Sequence, residues 1–173
     1  MDEENKETVV LGMISRGHTK FNKISQEAKI EPKELELILQ KLERSGLIRV
    51  EEKKGWLGTK IDIRPTEDGY REFERQLKNL QDKWNNLENT YKSGNKQELE
   101  QKLKEDKSFL PTMMMFGIID VMMFSMMFSM MGIGMSDFFA GDPQGMEYAN
   151  DGGMDGAGDS DLGDGGFDID IGF

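Results

Sequence analysis

Cysteine is absent from this 173-residue chain, and histidine occurs once, as His18. The first absence excludes a disulfide framework, a thiolate nucleophile and any Cys-based zinc site, and it suits a reducing, cytoplasmic setting. The second excludes a histidine metal cluster, so His18 is read as a loop residue at the end of the first helix. No Gly-rich phosphate cradle and no nucleophile–base constellation is found. The expectation is therefore a protein that is not an enzyme, with no catalytic residue, no cofactor and no metal ligand. The start, "MDEENKETVV", lacks the basic segment and apolar stretch of a secretory signal.

Positive charge is missing from one end. Residues 1–92 hold 18 Lys+Arg and 18 Asp+Glu, residues 93–107 four of each, and residues 108–173 no base and 11 acids. The net charge of −11 thus sits entirely in the C-terminal part. From residue 140 glycine and aspartate dominate, so chain entropy and self-repulsion outweigh the little apolar area available, and the segment reads as a disordered acidic tail. Its run "DGAGDSDLGDGG" matches neither the EF-hand loop nor a Gly-rich nonapeptide, and calcium binding there is expected to be weak. Its end, "FDIDIGF", alternates Phe167, Ile169, Ile171 and Phe173 with Asp168 and Asp170, as does a strand that adds to a partner's sheet edge.

Long apolar runs are also scarce: there is one, residues 113–135, "MMMFGIIDVMMFSMMFSMMGIGM", with ten of the chain's 14 methionines and a single charge, Asp120. Its length meets the ~20 residues of a membrane span, and Lys102, Lys104 and Lys107 precede it on the side expected to stay in the cytoplasm. Asp120 costs a few kcal/mol against insertion, and Gly117, Gly132 and Gly134 loosen a helix. Unbranched, polarisable thioethers instead suit a surface that repacks around varied apolar partners. In composition alone the run is similar to the methionine-rich substrate-binding segments of signal-recognition-particle and tail-anchor-handling proteins. Three outcomes stay open: a surface for a hydrophobic protein segment, contacted by Met122, Met123, Phe124, Met126, Met127, Phe128 and Met130; a membrane anchor or membrane-surface helix; and core packing.

The rest of the chain carries regular patterns. Val10, Leu11 and Ile14 give a short first helix ended by Gly17. Phe21, Ile24 and Ala28 share a face of a second, with Thr19 as its cap. Pro32 opens a third, with Leu35, Ile38, Leu39 and Leu42 inward and Gly46 as its stop. "LIRVEEKK" and "TKIDIRP" flank "GWLG" as two strands and a turn. Tyr70, Phe73, Leu77, Leu80, Trp84, Leu87 and Tyr91, spaced alternately by three and four, make a heptad stripe on a helix begun near Thr66. Asn95 and Glu98 have capping-box spacing and open a short polar spacer helix.

Three helices, a hairpin and a closing helix, with "LERSGLI" ending the third helix, a basic Gly-containing wing and "RPTEDGYREF" after it, resemble winged helix-turn-helix regulators of the MarR- and PadR-like type over residues 8–80. The resemblance implies an α+β winged-helix fold that binds double-stranded DNA, with the third helix in the major groove and the wing on the backbone. Carried onto this sequence, the DNA-binding residues are Lys33, Gln40, Lys41 and Arg44, with Lys53, Lys54, Trp56 and Lys60 of the wing. Glu34, Glu36, Glu51 and Glu52 weigh against that use, and the same face also suits docking of a protein. The heptad stripe beyond Leu77 exceeds what so small a domain covers, so Leu77, Leu80, Trp84, Leu87 and Tyr91 are expected to form a homodimer seam. The organisation expected is a winged-helix domain (1–65), a long dimerisation helix (66–92), a helical linker (93–110), a Met/Phe-rich segment (111–139) and the acidic tail (140–173). The leading function is a dimeric DNA-binding regulator; the alternative is a non-enzymatic adaptor or chaperone-like protein that captures hydrophobic segments.

Overall fold

The computed structural model describes residues 3–55 and 58–140, and of residues 52–55 and 58–60 the backbone alone. In chain order the elements are α1 (Glu3–Ser15), α2 (Phe21–Ala28), α3 (Pro32–Arg44), β1 (Ile48–Gly55), β2 (Gly58–Pro65), α4 (Glu67–Lys92), α5 (Lys96–Glu105), α6 (Leu110–Met115), α7 (Val121–Met131) and α8 (Met135–Phe138). The architecture is α+β, with one two-stranded antiparallel sheet among the described residues.

α1 is the central element. The sequence predicts one apolar face for it, yet every residue from Thr8 to Ile14 is buried, the state of a helix wrapped on all sides. α2, α3 and β2 cover part of it and α4 another part, while the turn before α6 is fastened to it by Asn5 Nδ2 donating to the Ser108 carbonyl at 3.0 Å. At Gly12 the fit is closest: a Cβ there would lie 2.4 Å from the Phe116 ring and 2.6 Å from the Phe73 ring, which pack edge to face at 5.3 Å. Gly12→Ala is expected to cost about 1–3 kcal/mol by overpacking, measured as a lower urea midpoint.

α3 begins at Pro32 and buries Leu35, Ile38, Leu39 and Leu42. The hairpin pairs Ile48 with Pro65, Val50 with Ile63 and Lys53 with Lys60, so Ile48, Val50 and Ile63 share the face turned to the helices. α4 opens with Thr66, whose hydroxyl accepts from the Gly69 amide at 3.0 Å. The predicted cap at Thr19 is not made: α2 starts after Lys20 without a side-chain cap, and the Thr19 carbonyl accepts from the Ile63 amide at 3.3 Å. Thr19 thus stands one residue before the cap position, its carbonyl tied to β2.

The apolar run does not form one helix. α6 ends at Met115, and Asp120 caps α7 by accepting from the Met123 amide at 2.9 Å, so the charge that interrupts the run marks a helix start. No described helix is long and apolar enough to cross a membrane. Instead Phe116, Phe124, Met127, Phe128, Met131, Phe138 and Phe139 join the residues of α1 to α5 in one buried apolar cluster.

Candidate functional site

Lys33, Leu37, Gln40 and Arg44 recur at intervals of four, three and four along α3, and all four are exposed, so they form one outward stripe opposite the buried leucines. Lys33 and Arg44 have no carboxylate partner among the described residues. Lys41 lies off this stripe. Its ammonium is hydrogen-bonded to Glu7 and ion-paired with Glu3 at 3.4 Å, and the Glu7 bond in particular raises its pKa above the ordinary lysine value. Of the α3 cations assigned from the sequence, Lys41 is thus engaged internally. Glu34, one of the acids weighed against an anionic ligand, is ion-paired with Lys6 at 2.6 Å.

The hairpin adds Arg49, which is exposed and the register partner of Arg64; Arg64 is paired with Asp62 at 2.7 Å. Trp56 and the side chains of Lys53, Lys54 and Lys60 lie outside the described residues, as does the tail from residue 141.

Between α2, α3 and the hairpin runs a groove of about 210 Å³ lined by Phe21, Leu39, Val50 and Ile61, with Glu36, Gln40 and Glu43 also lining it. Leu37 and Ile61 are 67% and 45% exposed. Sequence reasoning did not assemble this groove. Its signal was Ile61, which continues the inward alternation of Ile63 past the point where the helices cover the sheet.

The predicted dimer seam needs correction at its centre. Leu80, Trp84 and Leu87 are buried within the chain, and Leu77 and Tyr91 are half-buried. Their cover is α5 and α7. Leu99 and Leu103 of α5 are fully buried, Lys102 Nζ donates to Asn86 Oδ1 and Thr90 Oγ1 at 2.9 Å, and Lys83 is paired with Asp106. The Phe124 ring lies 6.1 Å from that of Trp84. The helix predicted as a polar spacer is therefore a packed element, and a homodimer through Leu80, Trp84 and Leu87 requires α5 and α7 to leave first.

The predicted partner-binding methionines divide in the same way. Phe124, Met127 and Phe128 are buried and so unavailable to a partner, Met123 and Met130 are half-buried, and Met122 and Met126 are exposed. Rings link α7 to α8: Phe124 stands 5.0 Å from Phe128, and Phe128 5.2 Å from Phe138. Lys107 donates to the Phe138 carbonyl at 2.6 Å and closes the far end. Among the described residues no group of three His, Asp or Glu side chains is placed to hold a metal ion. No family model matches the chain, and no curated protein matches it.

Proposed function

We propose that this chain is a winged-helix DNA-binding regulator that presents α3 to the major groove and the hairpin to the flanking backbone. The observation that supports this most is the exposed α3 stripe with two unpaired cations at its ends and an amide between them. Lys33 and Arg44 stand a little over three turns apart and suit phosphates on either side of a groove, while Gln40 suits an adenine edge. Arg49 on β1 extends the cationic surface toward the wing.

Titration of a mixed-sequence duplex at rising salt tests the reading. Lys33→Ala and Arg44→Ala are each expected to weaken binding and to reduce the slope of log K against log salt by about one. Lys41→Ala, which removes an ammonium already held by glutamates, is expected to leave that slope unchanged. A duplex affinity that ignores both Lys33→Ala and Arg44→Ala would sink the assignment.

A second reading is favoured by the groove beside the stripe. Its ionisable lining residues, Glu36 and Glu43, are both acidic, which repels phosphate and suits an apolar peptide with basic flanks. Under this reading Ile61→Ser is expected to abolish peptide capture, with no dependence on Lys33 or Arg44.

A further inference from the structure

The thioethers of α7 stand in tiers. Met122 and Met126, one turn apart, are 66% and 43% exposed. Met123 and Met130 are half-buried, and Met127 and Met131 are buried on the helix face that also carries Phe124, whose ring lies 6.1 Å from that of Trp84. With no cysteine in the chain, methionine thioethers are its chief targets for a two-electron oxidant, and their susceptibility follows exposure. We propose that α7 is a two-stage oxidation site: peroxide is consumed first at Met122 and Met126 without structural consequence, and oxidation of Met127 and Met131 then detaches α7 from α4.

The chemistry is the same at each position. A sulfur lone pair attacks one peroxide oxygen, the S–O bond forms as the O–O bond breaks, and the departing hydroxide takes the remaining proton to leave as water. Sulfur loses two electrons and the peroxide gains them. What differs is the surroundings. At Met122 and Met126 the new S=O dipole meets solvent. At Met127 and Met131 it is buried in the apolar cluster that also holds Phe124, Phe128 and Trp84, so the packed arrangement becomes unfavourable. Leaving it uncovers Trp84, on which the Phe124 ring packs, while α5 keeps its place on α4. The inference does not rest on the DNA-binding reading.

The test treats the full chain carrying Trp56→Phe, in which Trp84 is the sole tryptophan, with hydrogen peroxide alone. Sulfoxide at each methionine is followed by peptide mass spectrometry and Trp84 by its emission. Met122 and Met126 are expected to oxidise first with emission unchanged. A red shift is expected to follow in step with sulfoxide at Met127 and Met131, and to be lost in the Met127→Leu/Met131→Leu chain, whose substitutions conserve volume. Equal oxidation rates at the four positions, measured in the unsubstituted chain, would overturn the proposal by themselves. So would a shift that accompanies Met122 and Met126, or one that persists in the double leucine chain through Met13 or Met113.

Discussion

Trp84→Ala is expected to destabilise the chain by about 3–5 kcal/mol, the range for removal of a buried large aromatic. Trp84 is 2% exposed and its ring meets Phe124, which in turn meets Phe128 and Phe139 at 5.0 and 6.4 Å. The substitution therefore opens a cavity where α4 meets α7, and the lost tilted ring contact adds roughly 0.5–1.5 kcal/mol to the lost area. For a chain of this size the melting temperature should fall by roughly 6–20 °C. Calorimetry at several protein concentrations checks the mechanism as well as the size. Because the cover belongs to the same chain, the loss should be the same at every concentration; a deficit that shrinks as concentration rises would mean that a second molecule supplies the cover.

Gly69→Ala is expected to cost about 3 kcal/mol or more, at or beyond the upper end of the usual overpacking range. A Cβ at this position would lie 1.9 Å from the Leu47 carbonyl oxygen. The obstacle is backbone, and it is fixed: the same carbonyl accepts from the Thr66 amide at 2.9 Å, and the Thr66 hydroxyl is shared between it at 3.1 Å and the Gly46 carbonyl at 2.6 Å. Making room for the methyl group breaks the junction that seats the start of α4 on the turn after α3. Urea denaturation should show the drop, and Thr66→Val should share part of it by removing the hydroxyl that caps α4. Full stability in Gly69→Ala would contradict the close approach of α4 to that turn.

Signals confined to a few residues were legible in the sequence. Pro32 and the spacing of Leu35, Ile38, Leu39 and Leu42 define α3. Alternation in "TKIDIRP" defines β2. Thr66 and Asn95 announce the starts of α4 and α5, and the Asn95 side chain accepts from the Glu98 amide at 3.2 Å. What the sequence left open is which surface covers which. A stripe with three–four spacing on α4 requires an apolar cover, but it does not name the chain that supplies it. The covering helix was itself obscured: in "VMMFSMMFSMM" almost every position is apolar, so the buried set Phe124, Met127, Phe128 and Met131, though regularly spaced, does not stand out from Met122 and Met126. In α1, likewise, every residue from Thr8 to Ile14 is buried, so no single face stands out.

The candidate site was legible only in part. Residue type and helical phase marked Lys33, Gln40 and Arg44. The capture of Lys41 by Glu3 and Glu7 depends on α1 crossing α3, which no local pattern encodes. The acidic groove likewise joins residues from α2, α3 and both strands.

The claim on which the rest depends is that the methionine-rich run covers α4 of its own chain. The direct measurement is the emission and acrylamide quenching of Trp84 in the Trp56→Phe chain, over a dilution series from high to nanomolar concentration, without detergent. The expected result is a blue, poorly quenched emission that does not change with dilution. An emission that becomes red and readily quenched on dilution would place the cover in a second molecule, and one that is red at every concentration would show that α7 does not pack on α4 at all.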